Sequence, residues 1–377
     1  MPLRYLIGDD AEGLQRFNDL ITPGSTTLSA VSIDSPAMIL YTSGTTARPK
    51  GVTHTHRSLA TTAELAAAAM FEPGDRAGVI LPMVHMAAVT IFFAAATSEI
   101  VSVVVPFDPN GVLDAIEQHR ITMLLAMPAL YRMLIDAQLA KPRDVSSLRS
   151  CGVGGDSAPA ALHEQCVKVL GVKLNEGYGL TEAVPIAFNG KGGQRPGSLG
   201  LALPQIEWRL VDGDGRQVAR GEVGQVTVRG PLVCAGYWKD PDATSAAIKD
   251  GWLHTGDLAR QDNDGFYWFA GRSKEIIIRG GSNVSPQEVE EALYLHPAVR
   301  EVAVVGKPDD KWGEVIVAFV ALKDNASATS QELIAFAAER IANYKLPETI
   351  IFEANLPKGP TGKVARRPLK ERLAVLN

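Results

Sequence analysis

The sequence predicts an α/β protein: a parallel sheet flanked by helices, joined to an antiparallel β subdomain and followed by a small α+β C-terminal domain. Three observations lead there. From residue 36 to about residue 175, short β-rich runs alternate with longer helical ones. Past Gly197 the texture changes to short alternating strands separated by DGDG and RGEVG turns. Beyond Gly271 the order becomes helix, strand, strand, helix over a stretch of ordinary domain size. A chain of 377 residues is too long for one ordinary domain. The expected division is a core at 1–271, split into an α/β part (1–196) and a β-rich part (197–271), then a C-terminal domain at 272–377.

In the first part, MILYT (38–42), AGVILP (77–82), IVSVVVP (100–106) and ITMLLAMP (121–128) are nearly continuous apolar runs. Such runs suit strands buried on both faces of a parallel sheet. Ala-rich stretches such as 58–70 and 112–119 lie between them and are expected to be the covering helices. In GSLGLALPQIEWRLVDGDGRQVARGEVGQVTVRG, alternation broken by Gly-rich turns predicts antiparallel pairing. PQEVEEALYLHP and SQELIAFAAERIANY read as helices enclosing the strands VREVAVVGKPD and VIVAFVAL.

Composition narrows the function classes. Hydrophobic residues make up 46% and charged residues 21%, the balance of a globular protein. A net charge of −5 argues against DNA or an anionic membrane as a bulk electrostatic partner, since those require clustered Lys and Arg. Cys151, Cys166 and Cys234 lack the spacing of a zinc site or disulfide framework and are expected to be buried apolar residues in a reducing compartment. The most apolar region, 77–106, is interrupted by Pro82, His85, Ser98 and Glu99, short of the ~20 residues of a membrane span. The opening MPLRYLIGDDAEG has no basic flank followed by an apolar stretch, so a cytoplasmic protein without a signal peptide is expected.

Chemistry concentrates first in YTSGTTARPKGV (41–52). An apolar strand runs into a Ser/Thr/Gly-rich turn whose successive N–H groups can form an anion-binding nest. Hydroxyls of Thr42, Ser43, Thr45 and Thr46 add donors around Gly44, and Lys50 adds a positive charge for β- or γ-phosphate oxygens. The pattern differs from the GxxxxGK[ST] loop. This segment resembles the phosphate loop of the adenylate-forming superfamily: acyl-CoA synthetases, aryl-CoA ligases, luciferases and peptide-synthetase adenylation domains. Further segments resembling that family's motifs follow in its order across nearly the whole chain. One departure lies within the loop, where Ala47 stands at a position usually held by Gly; a left-handed backbone there would strain it by roughly 1 kcal/mol.

The resemblance implies roles for the other motifs. In NEGYGLTEA (175–183), Glu176, Gly177 and Gly179 belong to the nucleotide-contacting strand end, and Tyr178 offers a flat face to adenine. Thr181 would donate to the α-phosphate, and Glu182 is a hard oxygen ligand suited to Mg²⁺. Asp257 of GWLHTGDLAR resembles the aspartate that holds both ribose hydroxyls, and Arg272 of GRSKEIIIRGG the arginine beside the same ribose; Lys274 falls at the hinge position. Lys363 of LPKGPTGKVARR matches the catalytic lysine, and His85 of LPMVHMAAV an aromatic or histidine position at the mouth of the acyl pocket. Gly154 and Gly155 in CGVGGDSAP line that pocket or form a plain strand-end turn. Standing alone, Glu182 would read as a solvated loop acid, His85 as a satisfied core histidine and Lys363 as a surface lysine.

The implied reaction joins ATP, with Mg²⁺, to a small-molecule carboxylic acid, giving acyl-AMP and pyrophosphate; CoA then takes the acyl group. In that scheme the C-terminal domain swings about Lys274, bringing Gly280 and Gly281 to the thiol's path. The absence of an Asp near His85 points to an acid without an α-amino group, fatty or otherwise. Two alternatives stand beside this: a carrier-protein thiol as acceptor, and a nucleotide-binding remnant without turnover. Only forty residues precede Tyr41, where family members carry a further lobe. Sheet surface is therefore expected to lie exposed, or to be covered by a partner or a second copy in a homodimer.

Overall fold

The computed structural model describes residues 30–42, 49–156, 158–190, 195–359 and 364–375, together with two short parallel strands, β1 (Tyr5–Leu6) and β2 (Gln15–Arg16). Strands β3 (Pro36–Thr42) and β4 (Lys50–Thr55) come next, flanking residues 43–48. An alternating series follows: α1 (His56–Met70), β5 (Arg76–Val79), α2 (Met86–Thr97), β6 (Val101–Val104), α3 (Pro109–His119) and β7 (Met123–Ala126). It continues with α4 (Pro128–Ala140), β8 (Ser150–Gly154), α5 (Ala160–Leu170), β9 (Leu174–Leu180), β10 (Ala183–Phe188) and β11 (Leu201–Ala202).

Strands β11-β10-β9-β8-β7-β5-β6 form one sheet in that order. Pairing is parallel from β9 through β6 and antiparallel at β10 and β11. Helices cover both faces. Leu113, Ile116, Tyr131, Leu134, Leu162 and Cys166 of α3, α4 and α5 pack one side; Ala66, Met70, Ile91 and Ala95 of α1 and α2 pack the other. Helix starts follow local chemistry: Thr55 and Ser58 form a capping box on α1, and the Asp108 carboxylate caps α3 at the N–H of Gly111 (2.7 Å).

The run 38–42 does not join the parallel sheet as the sequence pattern suggested. β3 pairs antiparallel with β4, in a separate three-stranded sheet completed by the later strand at 236–237. Few residues separate the two strands in sequence, and strands so closely connected pair antiparallel, whereas parallel pairing needs a long crossover. The apolar runs 77–82, 100–106 and 121–128 also shrink to four-residue strands, their ends turning into loops or, at Pro128, a helix start.

The β-rich part comprises β12 (Glu207–Val211), β13 (Val223–Arg229), β14 (Gly236–Tyr237), α6 (Pro241–Ala247), β15 (Ile248–Lys249), β16 (Trp252–Gln261) and β17 (Tyr267–Arg272). Its main sheet runs β12-β13-β16-β15, with β17 on β16, antiparallel throughout. The C-terminal part has β18 (Ile277–Arg279), β19 (Ser282–Val284), α7 (Pro286–Tyr294), β20 (Val299–Asp309), β21 (Gly313–Leu322), α8 (Ser330–Ala338), β22 (Thr349–Phe352) and α9 (Arg366–Val375). Alternation splits β20 and β21 between two cores. Val304, Ile316 and Val320 meet Val289, Leu293 and Leu333 of α7 and α8, while Val305, Val317 and Phe319 meet Leu369 and Leu373 of α9.

All three cysteines are buried and free, and burial pushes each thiol up to about 12. The edge strand β6 leaves Val101 and Val104 (60% exposed) uncovered, and Phe92 and Phe93 of α2 are also partly exposed. Among the described residues no helix is long and apolar enough to cross a membrane.

Candidate active site

Parallel strands deliver their C-terminal ends to one edge of the sheet, and ligands of open α/β sheets bind there. Three of the sequence motifs arrive at this edge. β5 leads toward His85, β8 ends at Gly154 and Gly155, and β9 ends just before Thr181 and Glu182. Gly154 pairs with Gly177 across β8 and β9, and a Cβ on Gly154 would lie 3.0 Å from the Gly177 carbonyl oxygen. Gly155 has φ +79°, which favours glycine after the strand. His85 is the N-cap of α2, its Nδ1 accepting from the Ala87 N–H at 3.2 Å.

The Thr181–Glu182 turn is fixed from two directions. His54 is fully buried, and its Nε2 lies 2.8 Å from the Thr181 carbonyl. A carbonyl only accepts, so Nε2 carries the proton and Nδ1 faces the Ser58 hydroxyl at 3.0 Å. Burial holds His54 below the usual histidine range, against the opposing effect of the Thr181 carbonyl. From the other side, the Tyr237 hydroxyl donates to Glu182 Oε1 (2.8 Å) and the Cys234 N–H donates to the Glu182 carbonyl (2.8 Å). Lys50, at the start of β4, places Nζ 4.9 Å from the Tyr237 ring centroid.

A second group forms where β9 meets the β-rich sheet. Register on β16 and β17 sets Asp257 opposite Arg272, and their side chains approach at 3.1 Å. The Tyr178 hydroxyl donates to Asp257 Oδ2 at 2.8 Å. Burial and the neighbouring carboxylate raise the Tyr178 phenol well above its ordinary range, keeping it a donor. Its ring lies 5.3 Å from Trp208, which stacks on Tyr267 at 4.0 Å. With only 8% of its surface exposed, Tyr178 presents little open face for stacking in this pose. Glu176, expected among the nucleotide contacts, is turned inward: its Oε1 accepts from His163 (2.8 Å) and the Gly197 N–H (2.9 Å). A Cβ on Gly179 would come within 2.6 Å of Val184.

Lys274 is exposed in the turn after β17, where the Ser273 N–H donates to the Gly256 carbonyl (2.9 Å). Gly280 and Gly281 form the two-residue connection of the β18–β19 hairpin, both with positive φ, which that turn itself demands of glycine. A Cβ on Gly280 would also meet the Trp312 ring at 2.9 Å. Ser43, Gly44, Thr45 and Thr46 of the phosphate loop, Ala47 and the lysine Lys363 lie outside the described residues. The flanks of Lys363 are anchored: Lys358 bridges to Val364, Lys358 Nζ pairs with Glu301 (2.6 Å), and Arg366 reaches Glu290 (2.8 Å). Among the described residues no group of three or more His, Cys, Asp and Glu side chains converges as a metal site.

His54, Ser58 and Tyr237 are the site residues missed by sequence reasoning. For His54 a signal existed: Thr55 three positions before Ser58 is a helix start, which would have left 50–55 as a strand with His54 on it. For Tyr237 there was none, because it reaches Glu182 only through tertiary pairing of β14 with β4.

Residues 8–238 match the family model of the AMP-binding enzymes, and residues 288–363 that of the AMP-binding enzyme C-terminal domain. The chain belongs to this family, the adenylate-forming superfamily. It is 39% identical over 343 residues to a long-chain-fatty-acid–CoA ligase of Bacillus subtilis, covering 89% of this chain and 61% of that protein. It is 38% identical over 356 residues to an indoleacetate–CoA ligase of Aromatoleum aromaticum, covering 91% and 68%. The chain thus spans about three fifths of the length of the first of these relatives. Among solved structures, the anthranilate CoA ligase AuaEII in complex with anthranoyl-AMP superposes with TM-score 0.88 at 32% identity, covering 99% of this chain and 73% of that one. The amide bond synthetase McbA of Marinactinospora thermotolerans gives TM-score 0.89 at 29% identity, covering 98% and 75%.

Proposed function

We propose that this chain activates a carboxylic acid with ATP and hands the acyl group to CoA. The observation that carries the reading is the pair of clusters built on β9: Lys50 and Tyr237 about the Thr181–Glu182 turn at its end, and the Tyr178–Asp257–Arg272 group beside it. In the first half-reaction a substrate carboxylate oxygen attacks the α-phosphorus, the bond to the β-phosphate oxygen breaks, and pyrophosphate leaves. In the second, the thiol sulfur attacks the acyl carbon and AMP leaves. Thr42–Thr46 and Lys50 would cradle the β- and γ-phosphates, Thr181 would donate to the α-phosphate, and Lys363 would bridge carboxylate and phosphoryl oxygens as charge gathers on them.

Asp257, already oriented by Tyr178 and Arg272, keeps lone pairs for the ribose hydroxyls. Glu182 fits Mg²⁺: it is a single hard carboxylate with one oxygen steadied by Tyr237, and this cation retains most of its waters. When bound, Mg²⁺ neutralises phosphate charge and eases departure of pyrophosphate. His85 and Gly155 lie at the expected mouth of the acyl pocket, and Lys274 at the hinge between the two half-reactions.

The test is ATP–pyrophosphate exchange by this chain across a panel of fatty and aryl acids, followed by product analysis with CoA, a carrier protein or an amine as acceptor. Acid-dependent exchange and an acyl-CoA product are expected. Nucleotide binding with no exchange for any acid overturns the reading. Lys363→Ala should abolish exchange while sparing thioester formation from supplied acyl-AMP; unimpaired exchange would remove Lys363 from its role.

A further inference from the structure

Tyr237 sits where three pieces of chain meet. Its backbone pairs with Val52 of β4, its N–H donates to the Thr244 hydroxyl (2.9 Å), and the next residue's N–H donates to the Gly51 carbonyl (2.7 Å). Ala235 N–H donates to the Thr53 carbonyl (2.8 Å), and Cys234 N–H to the Glu182 carbonyl (2.8 Å). The 234–238 segment is therefore bonded both to the strand leaving the phosphate loop and to the Glu182 turn. The Tyr237 side chain touches the charged groups of both.

We infer that Tyr237 is a positioning residue that holds the Glu182 carboxylate and the Lys50 ammonium in a fixed mutual relation for metal-bound triphosphate. Its hydroxyl donates to Glu182 Oε1 at 2.8 Å while its ring receives Lys50 Nζ at 4.9 Å from the centroid. The choice of partner matters. An Arg or Lys beside Glu182 would neutralise the carboxylate, and an acid beside Lys50 would neutralise the ammonium. A neutral phenol orients both and leaves each charge available, one for a cation and the other for phosphate.

This inference rests on the adenylation reading, and the experiment separates the two. ATP binding to the full chain is measured by titration calorimetry, once with Mg²⁺ and once with EDTA, for wild type, Tyr237→Phe and Tyr237→Leu. Tyr237→Phe keeps the ring and loses the hydroxyl, so it should weaken Mg·ATP about tenfold and leave metal-free ATP within about twofold. Tyr237→Leu also removes the platform under Lys50 and should weaken both. Wild-type Mg·ATP affinity in Tyr237→Phe overturns the inference, and so does an equal loss with and without metal, which marks a packing role. Wild type that binds ATP under neither condition overturns the adenylation reading itself.

Discussion

Single side chains in this site are oriented by partners that leave their chemistry intact. Asp257 is gripped by a phenol and a guanidinium yet keeps lone pairs, and Glu182 is steadied by a phenol. His54 does the same for a backbone carbonyl, at the cost of burying an imidazole that must stay neutral. That cost has a pH signature. A histidine whose folded pKa lies below its unfolded value contributes fully above the unfolded pKa of about 6.5, and loses its contribution as pH falls through that value toward the folded one. His54→Ala should therefore cost about 2–3 kcal/mol at neutral pH, from two lost hydrogen bonds and the vacated volume. Urea unfolding of wild type and variant should show that gap narrowing from pH 8 to pH 5; a gap that widens on acidification contradicts a neutral His54.

Elements place these residues through register. Pairing of β16 with β17 makes Asp257 and Arg272 cross-strand neighbours, and pairing of β3 with β4 sets Thr42 opposite Lys50. The β9–β10 hairpin is the tightest of these devices. It reverses at the Thr181–Glu182 turn, and Val184 closes over Gly179. A methyl at 179 would overlap Val184 at 2.6 Å and 2.8 Å and press the Ala183 carbonyl at 3.1 Å. Gly179→Ala should destabilise the fold by about 1–3 kcal/mol and shift the turn, reducing exchange more than stability alone explains. Denaturant titration beside the exchange assay checks this, and wild-type values in both would refute it.

Across the whole molecule, the C-terminal part meets the core through α7. Arg132 of α4 stacks on Tyr294 at 4.6 Å, and residues of α4 and α7 with Asp156 and Val364 line an open pocket of about 120 Å³. Glu290 is largely covered, its side chain 15% exposed, and burial raises its pKa despite Arg366. Arg366 bonds both Glu290 oxygens at 2.8 Å and also approaches Glu275 at 3.6 Å. It thereby ties the chain just past Lys363 to the helix facing the core. Arg366→Ala leaves a buried carboxylate without its partner and should cost about 3–5 kcal/mol, read by urea unfolding followed in the C-terminal part. Arg366→Lys should recover only part of this, because an ammonium cannot reproduce the two-pronged geometry.

Much of this was legible in order along the chain, since the evidence was local. Apolar runs marked the parallel strands, Gly-rich pairs marked the hairpins, and the polar run 41–52 raised the expectation of a phosphate loop. Its resemblance to adenylate-forming enzymes then gave the other motifs meaning, and the family models agree. What the sequence could not determine was pairing. MILYT looked like one more parallel strand and is half of an antiparallel hairpin, because strand composition does not state a partner. Glu176, expected among the nucleotide contacts, turns inward to His163 and Gly197. Tyr237, 55 residues from Glu182, became its partner only when β14 docked on β4. Local propensity and pattern determined which motifs the chain carries and in what order; long-range register, set by burial of whole strands, decided which residues hold those motifs in place.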